Sequence, residues 1–165
     1  MLDLVTPAPA MARHVLRGRP AALKAAEKAL GFALPHTACR SSSKGEVHAL
    51  WLGPDEWLVL SGANDGLGDR LEAAMTSHPH SLVEVSDRQI GLVLGGDAVE
   101  AVLSVGCPLD LAQAAFPIGM CTRTVLAKAE IVLWRTGPST FHLEVWRSFE
   151  AYVRQFLTAA AVVPA

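Results

Sequence analysis

Ala49-Leu50-Trp51-Leu52-Gly53-Pro54-Asp55-Glu56-Trp57-Leu58 is echoed by Val132-Leu133-Trp134-Arg135-Thr136-Gly137-Pro138-Ser139-Thr140-Phe141-His142-Leu143. Each is an apolar run reaching a Trp, then a Gly-Pro turn, then an aromatic residue that opens the next apolar run. Proline fixes φ and carries no N–H, so Gly-Pro breaks the chain, and two antiparallel strands joined by a short loop follow. Working outward, Val15-Leu16-Arg17-Gly18 matches Val93-Leu94-Gly95-Gly96, each ahead of a helical pattern. Leu30-Gly31-Phe32-Ala33-Leu34 likewise matches Val105-Gly106-Cys107-Pro108-Leu109. The pattern is a duplicated β-α-β-β unit with loops of different length. Trp51 and Trp134 are expected at equivalent positions of the two copies. The class that follows is α+β with a mostly antiparallel sheet.

The 165 residues suffice for one compact domain with a good core. The expected organisation is an extended N-terminal arm over 1–12, then a single domain over 13–160 made of pseudo-repeats 13–85 and 86–160. Net charge is −2 with no Lys/Arg cluster, which removes the electrostatic footprint of a nucleic-acid or anionic-membrane binder. Cys39, Cys107 and Cys121 are widely spaced and form neither a disulfide framework nor a Cys-x-x-Cys pair. Met1-Leu2-Asp3-Leu4 lacks a basic segment leading into an apolar one, and no apolar stretch approaches the ~20 residues of a membrane helix. A cytoplasmic location is expected. Hydrophobic residues reach 51% and charged residues only 18%. Ordinary domains hold about 45–50% apolar residues with Gly counted, and about 25% charged. Either Ala enriches the core, or a permanent partner covers part of the surface.

Along the chain, Arg13–Leu16 reads as a strand. Pro20 stands at a helix N1 position, and Ala21–Leu30 follows with Leu23, Ala26 and Leu30 on one face before Gly31 stops it. Thr37–Arg40, Val47–Leu52 and Trp57–Leu60 read as strands, with a turn over Ser41-Ser42-Ser43-Lys44-Gly45. Asn64-Asp65 can cap a helix over Gly66–Met75. Ser81–Val85 and Ile90–Leu94 are strands, and Asp97 with Glu100 resembles a capping box for a helix through Val105. Leu109–Met120 is a long apolar loop. Thr122–Leu126, Glu130–Trp134 and Phe141–Trp146 are strands. Phe149, Tyr152, Val153, Phe156 and Leu157 then recur at helical spacing behind Ser148.

Chemistry-bearing motifs are sparse. The Gly-containing stretches at 62–68 and 91–96 match neither G-x-G-x-x-G nor G-x-x-x-x-G-K-[ST], so a dinucleotide cradle is not expected. His78-Pro79-His80 has no third metal ligand within sequence reach. No Gly-x-Ser-x-Gly elbow supports a hydrolase. Cys107 and Cys121 have no neighbouring base and read as small buried hydrophobes. Asp87-Arg88, at the junction of the halves, is either a structural ion pair or a partner contact. In the last strand Phe141, Leu143 and Val145 share one face, and His142, Glu144 and Trp146 the other. Trp146 beside Arg147 is either packed or an interface anchor, since Trp and Arg dominate such anchors.

Glu84-Val85-Ser86-Asp87-Arg88, Gly106-Cys107-Pro108-Leu109-Asp110-Leu111, Phe116-Pro117-Ile118-Gly119-Met120-Cys121-Thr122-Arg123-Thr124, Lys128–Arg135 and Phe141–Phe149 occur in one order, together with the Leu50–Trp57 motif. In this the chain resembles the gamma subunit of heterotetrameric sarcosine oxidase, from about residue 13 to the final helix. That family is similar in turn to the folate-binding domain of aminomethyltransferases. There a strand with two adjacent acids corresponds to Lys128-Ala129-Glu130-Ile131-Val132-Leu133. Only Glu130 retains an acid, which argues against folate chemistry in this chain. The resemblance implies a non-catalytic structural subunit of a complex that demethylates sarcosine oxidatively to glycine. FAD, FMN, NAD and tetrahydrofolate are then held by larger FAD-binding and NAD/folate-binding subunits, and zinc by a small subunit. Within this chain no catalytic, cofactor-binding or metal residue is expected. The partner interface is expected at Asp87, Arg88, Leu111, Phe116, Ile118, Met120, Trp146 and Arg147. Two alternatives remain: a free-standing folate-binding protein of the aminomethyltransferase type, and the gamma subunit of a related N-methyl amine oxidase complex.

Overall fold

The computed structural model describes residues 5–162. The chain divides into two compact units, Ala10–Ser86 and Asp87–Ala165, the latter joined by Met1–Pro9.

The Ala10–Ser86 unit runs β2 (Met11–Gly18), α1 (Pro20–Leu30), β3 (Ser41–Lys44), β4 (Val47–Gly53), β5 (Glu56–Gly62), α2 (Leu67–Met75) and β6 (His80–Glu84). Its sheet has the order β3-β4-β5-β2-β6, and every neighbouring pair is antiparallel. Pro20 begins α1 as the sequence indicates, and Gly31 ends it in the left-handed region (φ 76°), its N–H bonding the Glu27 carbonyl. Leu23, Ala26 and Leu30 pack inward with Trp57, Val59, Leu67, Leu71 and Met75. Trp57 is fully buried, and its indole N–H donates to the Pro35 carbonyl at 2.8 Å, which fastens the connection after α1.

The second unit contains β1 (Val5–Pro7), β7 (Gln89–Gly95), α3 (Val99–Ser104), β8 (Cys121–Leu126), β9 (Ala129–Gly137), β10 (Thr140–Trp146) and α4 (Glu150–Ala160), with a 3-10 turn over Arg147–Phe149 before α4. Its sheet order, β1-β7-β10-β9-β8, repeats that of the first unit when β8, β9, β10 and β7 are matched to β3, β4, β5 and β2. The fifth strand comes from opposite ends of the two copies. β6 closes the first unit, whereas β1, from the start of the chain, pairs with β7 in the second. Part of the segment read as an arm is therefore sheet; Met1–Leu4 lie outside the described residues.

Three local expectations change. Thr37–Cys39 is bend and turn, with Cys39 in the left-handed region (φ 59°); Arg40 makes a single bridge, its carbonyl accepting from the Trp51 N–H, and the strand is instead Ser41–Lys44, paired with β4. Serines have little intrinsic strand preference, so pairing with an apolar neighbour decides the conformation. The Asp97–Glu100 capping box is absent, because α3 has no side-chain cap and Glu100 is taken by Arg135. Val153 and Leu157 of α4 are buried, but Tyr152 and Phe149, the latter in the preceding 3-10 turn, are exposed.

The two hairpins have identical construction. Gly53 pairs with Glu56 and Gly137 with Thr140, and each first strand carries a one-residue bulge, at Leu52 and at Thr136. Trp51 lies opposite Trp57 on the helix-facing side, whereas Arg135 lies opposite Phe141 there. Trp51 and Trp134 thus occupy corresponding strands but opposite faces; the residue equivalent to Trp51 is Arg135. A shift of one residue turns a side chain through the sheet, so the Gly-Pro turn and not the matching tryptophans sets the correspondence.

Candidate functional site

β10 places Phe141, Leu143 and Val145 in the helix-covered core and turns His142, Glu144 and Trp146 to the other side, as its alternation requires. On that helix-free side lie Gln89 and Gly91 of β7, Val132 and Glu130 of β9, and Arg123 of β8, fixed by the cross-strand register. His142 and Glu144 are both buried and joined through Nε2 and Oε1 at 2.7 Å. At the end of β10 the pattern opens into a cleft of about 550 Å3, with Gln89 and Glu144 among its lining and Arg88, Arg123 and Trp146 at its sides. Glu130 is exposed and borders this cleft.

Asp87, Arg88, Trp146 and Arg147 come together at the mouth. Trp146 is 45% exposed, and the Arg88 guanidinium lies over its ring with Cζ 5.2 Å from the centroid. Arg147 donates from its side-chain Nε to the Asp87 carbonyl and from its backbone N–H to the Arg88 carbonyl, both at 2.8 Å. Of the two readings for Asp87-Arg88, the ion pair is not formed: Arg88 stacks on Trp146 instead.

The other half of the expected interface is different. Leu111 and Phe116 are 2% and 1% exposed and belong to the core. Met120 packs partly against that core, whereas Ile118 and the Ala112–Ala115 stretch of this loop are exposed. The two large apolar side chains Leu111 and Phe116 of this loop pack inward. Ile118 also lies far from Trp146. The loop is tied to Arg135 by Gly119 N–H to its carbonyl, and Arg135 pairs with Phe141, at the opposite end of β10. Five residue steps separate those ends, roughly 17 Å at ~3.3 Å per residue.

What holds that loop is Arg135, which the sequence reading did not single out. It is 1% exposed, yet its guanidinium is fully engaged. Nη1 donates to the carbonyls of Leu111 (2.8 Å) and Phe116 (3.2 Å), and Nε to that of Gly137 (3.2 Å). Nη2 reaches Glu100 and the Pro138 carbonyl, and the plane lies over Phe141 with Cζ 4.9 Å from the ring centroid. A buried cation is tolerable only with such a complete set of acceptors. The available signal was alternation: Ile131, Leu133 and Arg135 share a face, so an arginine stood at a core position.

The Ala10–Ser86 unit carries a wider cleft, about 760 Å3, between the start of α1 and the β4–β5 turn. Its charges are largely matched. Arg17 pairs with Asp55 at 3.0 Å, and His36 with Glu27 at 3.3 Å. His80 is held by the His78 carbonyl (2.8 Å) and by Glu72 (3.2 Å), contacts that favour the imidazolium and raise its pKa. Among the described residues no group of three or more His, Cys, Asp or Glu side chains is placed to share a metal ion. Cys107 and Cys121 are buried and neither is in a disulfide. No helix among them is long and apolar enough to cross a membrane.

Two like-ordered antiparallel sheets, each bearing helices on one face, define the class. The fold is that of aminomethyltransferases, and the chain superposes on the glycine cleavage system aminomethyltransferase T of Bartonella henselae with a TM-score of 0.72 over 93% of its length, 44% of that chain, at 15% identity. The chain belongs to the sarcosine oxidase, gamma subunit family, whose model matches residues 17–163. The sarcosine oxidase subunit gamma of an Arthrobacter species is 36% identical over 70% of this chain, which spans 57% of that relative's length. A chain of the heterotetrameric sarcosine oxidase from Corynebacterium sp. U-96 superposes with a TM-score of 0.90 at 29% identity, over 94% of this chain and 82% of that one.

Proposed function

We propose that this chain is a structural, non-catalytic subunit of a heterotetrameric sarcosine oxidase, and that flavin, NAD, folate and zinc are held by its partners. The observation that carries the reading is the superposition, at 0.90, on a chain of a heterotetrameric enzyme of that name. The arrangement of this chain's own residues supports it. The most elaborate polar assembly, around Arg135, is closed by backbone carbonyls and one carboxylate, and it serves folding. The acid at the folate-related strand is reduced to Glu130, exposed at the edge of a cleft whose mouth is formed by Trp146 and Arg88. Trp and Arg exposed together are the residue types that anchor protein–protein contacts.

The competing reading is a free-standing folate-binding protein. Purification of the singly produced chain, followed by an absorption spectrum and a calorimetric titration with tetrahydrofolate, separates the two. A colourless protein that gives no saturable heat fits the subunit. Stoichiometric flavin or NAD, or a saturable tetrahydrofolate site, overturns it.

A further inference from the structure

We infer that the cleft between Arg88, Arg123 and Trp146 seats an extended segment of a larger partner subunit, with an Asp or Glu side chain held by Arg88 and an N–H donated to Gln89. The inference rests on the subunit reading above and adds the place and the chemistry of contact.

Three independent features lead there. The first is Arg88. Among the described residues no carboxylate pairs with it, and its one fixed contact is the Trp146 ring. Stacking on an aromatic face holds the guanidinium in place while leaving its N–H edge open, a disposition suited to a carboxylate. The second is Gln89. It is 8% exposed, lines the cleft, and its Oε1 is buried with no hydrogen-bond partner. An acceptor left in this state is costly, and the last torsion of a Gln side chain is soft enough to turn Oε1 toward an incoming donor. A ligand offering a carboxylate and an N–H a few atoms apart satisfies both groups. Every Asp or Glu residue in a peptide does so, and so does a free amino acid.

Size and surroundings decide between these. About 550 Å3 far exceeds a single small amino acid. The third feature is the rim. Val125 lines the cleft and is exposed, and the exposed Tyr152 accepts at its hydroxyl from the Lys128 N–H at 3.3 Å, linking α4 to the β8–β9 turn between Val125 and Glu130. An arginine-and-Trp pocket continued by aromatic surface has the make-up of a protein interface, with an anchor at its centre and apolar area around it. The occupant is therefore a chain and not a metabolite.

The test uses the remaining subunits of the oxidase as a purified assembly, into which this chain is titrated. Arg88→Glu should lower the affinity by at least about 30-fold, the effect of losing an anchor, without shifting the melting temperature. Arg17→Glu, a matched charge reversal in the other unit, should change it by less than about threefold, as expected for an exposed pair. Val125→p-benzoylphenylalanine should photo-crosslink to a peptide of a larger subunit that contains Asp or Glu. If wild type binds and Arg88→Glu binds equally, or if the crosslink joins two copies of this chain, the inference fails and the subunit reading stands. Saturable binding of glycine or sarcosine to the isolated chain, lost in Arg88→Glu while assembly is unaffected, would likewise overturn it in favour of a metabolite site. If wild type does not bind the other subunits at all, both fall.

Discussion

Arg135→Met removes a buried cation while keeping an apolar side chain of similar length against Phe141. The guanidinium donates to two fully enclosed carbonyls, Leu111 and Phe116, and to the Gly137 and Pro138 carbonyls at the hairpin. Leaving a buried acceptor unsatisfied costs about 1–3 kcal/mol, so the two enclosed carbonyls together cost on the order of 4 kcal/mol. Glu100 adds little, because its side chain is 38% exposed and regains water. A loss of about 3–5 kcal/mol follows. At roughly 2–4 °C per kcal/mol for a chain of this size, the melting temperature should fall by about 6–20 °C. Amide exchange should locate the damage, with protection lost first between Leu111 and Met120. Arg135→Lys should fall between the two proteins, since an ammonium is a point charge without the planar fork that spans these acceptors. A melting temperature for Arg135→Met within about 2 °C of wild type, with that loop still protected, would refute the reasoning.

Other outcomes follow from single contacts. A Cβ on Gly106 would stand 2.5 Å from Phe156 Cζ and 3.0 Å from the Ala127 backbone nitrogen, so Gly106→Ala should lose about 1–3 kcal/mol in a denaturant titration; an unchanged midpoint contradicts this packing. The His80 imidazole, held by the His78 carbonyl and then by Glu72, should titrate above 6.5 by NMR, and Glu72→Gln should move the midpoint down. Because the folded value is the raised one, this contribution to stability is complete below the unfolded pKa of about 6.5 and fades as pH rises through the folded midpoint. A His80 midpoint at or below 6.5 would remove that contribution. Trp146→Ala should weaken binding to the larger subunits by at least about 30-fold with little change in melting temperature. Collapse of the fold would show instead that Trp146 supports the sheet.

Much of this architecture is legible from local chemistry. Proline at N1 and glycine at the end define α1, Gly-Pro defines both hairpins, and alternation assigns the two faces of β10. Interactions between distant segments are less so. Ser41–Lys44 carries no strand signal of its own and becomes one because β4 offers it a ladder. From sequence alone Leu111 and Phe116 look like an exposed apolar loop, because the group that pulls them inward, Arg135, lies 24 and 19 positions away and acts on backbone carbonyls. The same arginine disguised the repeat, since the echo of Trp51 in Trp134 is one position out of register with the turns. At the cleft, Arg88, Trp146 and Arg147 were visible as residue types. The orphan acceptor on Gln89 was not, because it depends on what surrounds a side chain and not on what the side chain is.

Production of all four subunits together, and of the same set without this chain, tests the central claim most directly. The account predicts a stable complex that contains this chain and oxidises sarcosine, and a set lacking it that fails to form that complex. If the other three subunits assemble and oxidise sarcosine equally well while this chain elutes alone, the account is contradicted.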